Sequence, residues 1–151
     1  MNYGAPDVLR KCLVDGGLFT MPSANEAWPA YVSALPTDPD NILVIYSASS
    51  YLQGRIQKNG AVIEHQGIHM HLRATDPKTA YDKLVDLVGE PNNLGFMEKL
   101  YLAVVDMDGT NKYIIRSACR RTGILPMGEE VQERRVSYVM NYYLTMYRKL
   151  N

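Results

Sequence analysis

The chain has 151 residues, which fits one domain, and its 16 basic and 16 acidic residues cancel, which argues against a general electrostatic affinity for nucleic acid or anionic membranes. The two cysteines, Cys12 and Cys119, lack metal or redox spacing and indicate free thiols in a reducing, intracellular protein. The sequence shows neither a signal-peptide pattern at its start nor an apolar run of membrane-spanning length, so no membrane partner is expected.

The first forty residues predict one helix followed by a proline-rich arm. Residues 6–15 carry apolar residues on one helical face, with Pro6 suited to the first turn and Gly16 ending the helix. Residues 18–41 contain four prolines, which exclude a long regular element. We expect an ordered arm or loop there, with one short extended piece at 30–33.

A strand, a hairpin and a second helix are predicted next. Residues 42–46 are a compact apolar strand. Residues 55–74 predict a hairpin turning at Asn59-Gly60, and its second half alternates apolar and polar residues as a half-exposed strand does. Asp76 is placed to cap a helix that ends at Gly89.

Three strands complete the chain, at roughly 99–107, 112–122 and 133–147, with a loop at 123–130 before the last. The final segment also fits a helical stripe, but its Val, Tyr and Thr residues favour a strand. This order of elements predicts a single α+β domain whose sheet is largely antiparallel.

The stretch Asp106-Met-Asp-Gly-Thr110 resembles the motif that opens the haloacid dehalogenase superfamily of phosphatases. That resemblance implies a nucleophile at Asp106, a general acid/base at Asp108 and bound Mg²⁺. Only 41 residues follow Thr110, and they read as strands, whereas the remaining catalytic groups of such an enzyme are spread over βαβ units of about thirty residues each. Since Asp-Gly between two β-rich runs is also a strong hairpin signal, we expect a turn without catalysis.

His65, His69 and His71 are the three histidines of the chain, and they share one side of the predicted strand. Two such imidazoles can bind Zn²⁺. However, six residues of extended strand separate His65 from His71 by about 20 Å. The sequence therefore favours a polar sheet face, exposed or covered by a partner subunit, over a metal site.

Five arginines occur late in the sequence, at positions 116, 120, 121, 134 and 135, close to several of the 11 tyrosines. Together they suggest either a nucleic-acid surface or a surface that contacts another subunit. With no net charge to attract nucleic acid, the second alternative is favoured.

Three longer segments, residues 28–46, 54–87 and 121–146, resemble a family of small bacteriophage minor capsid or tail-completion proteins in the order and spacing of their motifs. That family is similar to the tail terminators of long-tailed phages. The matching features are the following: Trp28-Pro29, Pro39-Asp-Asn41, Gly67-Ile68 through Arg73, Ala80-Tyr81, Gly128, Arg134-Arg135 and Asn141. The resemblance covers most of the chain from Trp28, but residues 89–110 match nothing specific.

The resemblance implies an α/β sandwich with two helices packed on one face of the sheet. It also implies a non-enzymatic virion protein without cofactors or metals. Such a protein forms a hexameric ring at the head-proximal end of the tail tube, after assembly in the host cytoplasm. Its partners are further copies of itself, the major tail-tube protein and the head-completion or connector protein, while genome DNA passes through the lumen without specific binding.

Two other functions stay open. One is a head-completion or connector ring, and the other, from a different class and disfavoured, is a small metal-dependent enzyme. For the ring interfaces, the predicted subunit-contact residues are Arg73, Arg134, Arg135, Tyr138 and Tyr142. Arginine suits such contacts because it binds carboxylates bidentately.

Overall fold

A computed structural model of the chain describes residues 3–55, 62–130 and 135–149. Helix α1 spans Ala5–Asp15, which confirms the predicted helix to within one residue. After it, Pro22–Ala24 form a 3₁₀ turn and strand β1 spans Ala30–Val32, inside the predicted extended piece. The four prolines leave room for only these short elements between residues 18 and 41.

The next two strands form a long antiparallel hairpin, β2 at Ile42–Arg55 and β3 at Val62–Ala74. β2 is far longer than the predicted 42–46. Its second half is rich in Ser and interrupted by an irregularity between Ala48 and Tyr51, so its alternation is hidden in the sequence. The predicted Asn59-Gly60 turn lies outside the described residues.

Helix α2 spans Pro77–Val88, and Asp76 caps it as predicted, with its Oδ1 accepting from the Thr79 backbone N–H at 2.9 Å. Two short strands follow, β4 at Gly89–Glu90 and β5 at Asn93–Leu94, and then a 3₁₀ turn at Met97–Lys99. This compact connection delivers the chain to the far edge of the main sheet.

Four strands close the fold: β6 at Tyr101–Asp106, β7 at Lys112–Arg120, β8 at Leu125–Glu130 and β9 at Arg135–Arg148. The predicted loop at 123–130 is wrong, because β8 pairs with the first part of β9. Pro126 and Gly128 disfavour a strand in the local sequence, but the pairing of this segment with β9 outweighs that local preference. The strand assignment for the last segment is confirmed over the helical alternative.

The main sheet has the order β1-β2-β3-β9-β7-β6, with β8 also paired to β9. All its pairings are antiparallel except β1 with β2, so the fold is α+β with a mixed sheet. Both helices pack on one face, where their apolar residues join those of β2, β3 and β9 in one core. No helix in the described ranges is both long and apolar enough to cross a membrane.

Candidate interaction surface

The sheet has a second face that neither helix covers, called the open face below. Ile68, Met70 and Leu72 of β3 belong to the core under the helices, so the alternate residues of β3 point the other way. These are His65, Gly67, His69, His71 and Arg73, as the alternating sequence pattern predicted. Residues opposite them on β2 and β9 share the open face, because cross-strand partners project to the same side.

Aromatic and basic groups pack against one another on the middle of the open face. Tyr51 stacks on His65 with ring centroids 4.5 Å apart and meets Tyr143 edge-on at 4.6 Å. The guanidinium of Arg121 lies 4.2 Å from the centre of the Tyr143 ring. These contacts hold the rings in place while leaving Tyr51 44% exposed, which suits a surface that is presented to a partner.

Two histidines of the open face, His65 and His69, are bonded to polar side chains of β9. His65 Nδ1 lies 2.7 Å from Thr145 Oγ1, and His69 Nδ1 lies 2.9 Å from Asn141 Oδ1. Within the described ranges, no group of three or more His, Cys, Asp or Glu residues could hold a metal ion. The hydrogen bonds to Thr145 and Asn141 favour the polar-face interpretation of His65 and His69.

One end of the open face is closed by the loop between β1 and β2, and Arg73 is the main attachment. Its guanidinium donates to the carbonyl oxygens of residues 36, 37, 39 and 40 at 2.8–3.3 Å, and the residue is only 3% exposed. Ile42, Val44 and Val139 lie on the same face at this end and are buried outside the main core. Arg73 thus fixes this loop to the open face of the sheet.

Arg135 holds the same loop through its acidic residues. Its side chain contacts the Asp40 carboxylate at 2.7–2.8 Å, and Asp38 lies 3.6 Å away. Arg135 is 5% exposed. A buried guanidinium that is already paired with a carboxylate of its own chain is poorly placed to bind a neighbouring subunit.

These positions bear directly on the predicted subunit-contact residues. The burial of Arg73, Arg135 and Tyr142 argues against that role, since all three are occupied within the chain. Tyr142 is fully buried in the core, its hydroxyl lies 3.5 Å from Glu98, and burial raises the pKa of the phenol. Tyr138 packs half-buried against the core, and Arg134 lies outside the described residues.

The opposite end of the open face carries an exposed apolar patch that sequence reasoning missed. Val104 of β6 pairs with Ile114 of β7, which pairs with Tyr147 of β9, so the three side chains form a row across the strands. Leu102 and Tyr101 extend it along β6, and the exposed fractions of Val104 and Tyr101 reach 57% and 75%. We call these five residues the β6 corner. The signal in the sequence that could have indicated this patch is the uncharged run at residues 101–105.

The Asp-Met-Asp-Gly-Thr stretch is the turn between β6 and β7, as predicted. Asp108 Oδ1 accepts from the backbone N–H groups of Thr110 and Asn111, and its Oδ2 accepts from the Tyr3 hydroxyl at 3.0 Å. These bonds, those to Asn111 above all, hold the pKa of the Asp108 carboxyl well below its usual range. Asp106 Oδ1 accepts from Gly109 N–H at 2.6 Å. Both carboxylates therefore serve the turn.

Comparison with known proteins gave no family model and no curated protein that matches this chain.

Proposed function

We propose that this chain is a structural ring protein of the phage virion, acting as a tail terminator at the head-proximal end of the tail tube. The observation that carries the proposal is the uncovered side of the sheet: an open face with ordered aromatic groups that ends in the exposed β6 corner. Large apolar groups left in water mark contact surfaces. The resemblance of the sequence segments supplies the identity of the assembly.

The α+β fold supports the same proposal. A terminator must copy the tube subunit on one side and refuse further addition on the other, which requires contact surfaces and no reaction chemistry. Two helices that close one face of a sheet give a stable body, while the other face and the sheet edges stay available for neighbours. The hexameric state, the tube protein and the connector as partners, and the virion location belong to this proposal.

The occupied aspartates weigh against the enzyme alternative. In a dehalogenase-type site, both carboxylates face a substrate and Mg²⁺. Here Asp108 accepts hydrogen bonds at both oxygens, and Lys112 Nζ lies 3.7 Å from Asp106 Oδ2. A carboxylate that closes a turn in this way is a structural group.

The function is tested by removing the gene from the phage that encodes the chain and examining the products of infection by electron microscopy. A terminator should be needed for length control and joining, so the proposal predicts overlong tails and unjoined, DNA-filled heads. Complementation from a plasmid should restore normal tails. Tails of normal length joined to heads in the absence of the chain would contradict the terminator function, and heads that lose their DNA would favour the connector alternative.

A further inference from the structure

The middle of the open face has the composition of a protein interface. Tyr51, His65, Tyr143 and Arg121 contact one another there, and we call these four residues the Tyr–Arg patch. The cross-strand rows of the open face that run from Tyr46 to Tyr51 on β2, and across β3, β9 and β7, contain no Asp, Glu or Lys. Protein interfaces are enriched in Tyr and Arg and depleted in these three residue types.

Arg121 is the permanently charged group of this patch, and it has no carboxylate partner in the part of the chain that the structure describes. The residue is exposed, and none of the ion pairs among the described residues includes it. Its guanidinium lies on the ring of Tyr143. The ring holds the guanidinium in position by a cation–π contact, while the N–H groups stay available to an acceptor from outside the chain.

We infer that the Tyr–Arg patch binds an acidic segment of a different protein of the assembly, with a carboxylate of that protein against Arg121. A guanidinium that a partner covers must be paired, because a buried charge without a partner is costly. Since the patch contains no carboxylate, the partner supplies it. This inference rests on the proposed function, which provides the neighbouring proteins.

The geometry of the patch suits a carboxylate that is flanked by apolar groups. Two donors of one guanidinium hold one carboxylate in a planar, bidentate contact. Tyr51 and Tyr143 stand beside Arg121 with rings that pack against apolar groups and hydroxyls that reach polar ones. The patch therefore recognises a carboxylate together with the chain around it.

Nucleic acid fits this patch less well than a protein carboxylate does. Affinity for a phosphate backbone comes from several cations, each of which neutralises a phosphate. The neighbouring Arg120 does not add to the patch, because it lies opposite the core residue Tyr142 and lines a cavity with Glu98 on the other side of the sheet. One guanidinium among neutral groups matches one carboxylate.

Contact between the open faces of two copies is disfavoured by charge. Such a contact is symmetric, so it places the same patch on both sides. It would bring two Arg121 guanidiniums into the interface without a carboxylate from either patch, and like charges at close range repel each other. The patch thus favours a partner whose surface is different and acidic.

The contact is tested by reversing the charge of Arg121 in the full chain. The probes are the purified tail-tube protein and the purified connector protein of the phage, and calorimetry measures binding at low and at high salt. The wild type should bind one of the two probes, and Arg121→Glu should bind it at least about tenfold more weakly. Arg121→Gln removes the charge and should reduce the salt dependence. Arg116→Glu, at another exposed arginine, is the matched control and should bind as the wild type does.

Circular dichroism establishes that each variant is folded before its affinity is compared. Equal affinities of the wild type and Arg121→Glu overturn the inference, as does a wild type that binds neither probe. Binding of a DNA oligonucleotide that is lost in Arg121→Glu overturns it in favour of nucleic acid, and self-association that is lost in the same variant overturns it in favour of a second copy.

The proposed function is judged by a separate result. Normal tails in the absence of the gene contradict the function itself. A gene that is required, but whose Arg121→Glu version fully restores joined tails, contradicts only the contact at Arg121.

Discussion

Arg73 shows how a single side chain can hold an irregular loop in place on a sheet. The loop after β1 has four carbonyl groups directed at one point on the sheet, and one guanidinium satisfies them together. Its fixed fork of donors suits this arrangement, which a lysine ammonium cannot reproduce. The sequence showed an arginine at the end of a strand, but its partners come from more than 30 residues away, so its burial could not be predicted.

Replacing Arg73 should therefore destabilise the chain itself. Arg73→Met leaves the four carbonyl groups without this donor, and we expect a loss of about 3 kcal/mol in the free energy of unfolding. Arg116→Met, at an exposed position on β7, is the matched control and should change stability by less than about 0.5 kcal/mol. Urea denaturation measures both. Equal stability of the two variants would show that the loop is held by other contacts.

Asp108 makes the stability of the turn between β6 and β7 depend on pH. Folding lowers the pKa of its carboxyl because the ionised form accepts hydrogen bonds from Asn111 and Thr110. The stabilising contribution is therefore complete above the unfolded pKa, about 3.9, and is lost as the pH falls through the lower folded value.

Asp108→Ala should accordingly lower the melting temperature at pH 6, and the gap to the wild type should shrink steadily below about pH 4. Asp108→Asn keeps an oxygen acceptor without a titrating charge, so it should remain more stable than Asp108→Ala by an amount independent of pH. Thermal unfolding followed by circular dichroism between pH 2.5 and pH 7 provides the check. A gap between the wild type and Asp108→Ala that does not change with pH would refute the role of the ionised carboxylate.

Elements set by local signals in the sequence could be predicted, whereas elements that depend on pairing with distant strands could not. Both helices could be predicted, because proline, the Asp76 cap and the closing glycines act within one turn of the chain. β8 and the second half of β2 could not, because their hydrogen-bond partners are distant and their side-chain pattern is broken by Pro126 and by Ser49-Ser50. For the candidate surface, the alternation of β3 revealed the polar face, but the edge position of β6 required the strand order.

Gly67 marks the place where the irregular part of β2 passes closest to β3. A Cβ added there would lie 2.2 Å from the Ser49 carbonyl oxygen, which is backbone and cannot rotate away. We expect Gly67→Ala to cost about 2 kcal/mol or more by forcing the two strands apart. Gly123→Ala, whose added Cβ meets nothing within 4 Å, is the control and should be nearly neutral. Equal urea midpoints for both variants would contradict this close approach.

The molecule as a whole is asymmetric in a way that suits assembly. One face of the sheet is closed by two helices, one end of the other face is closed by the arginine-held loop, and the remaining surface runs from the Tyr51–Tyr143 pair to the β6 corner. The helix-covered face is protected and the open face can contact neighbours, which suits the proposed role of a ring subunit between two different neighbours.

Under the proposed function a phage encodes this chain, and the most direct test is cryo-electron microscopy of complete virions and isolated tails of that phage. The proposal predicts density for this fold in a hexameric ring at the head-proximal end of the tail tube. Finding the chain elsewhere in the particle, or absent from the particle altogether, would contradict it.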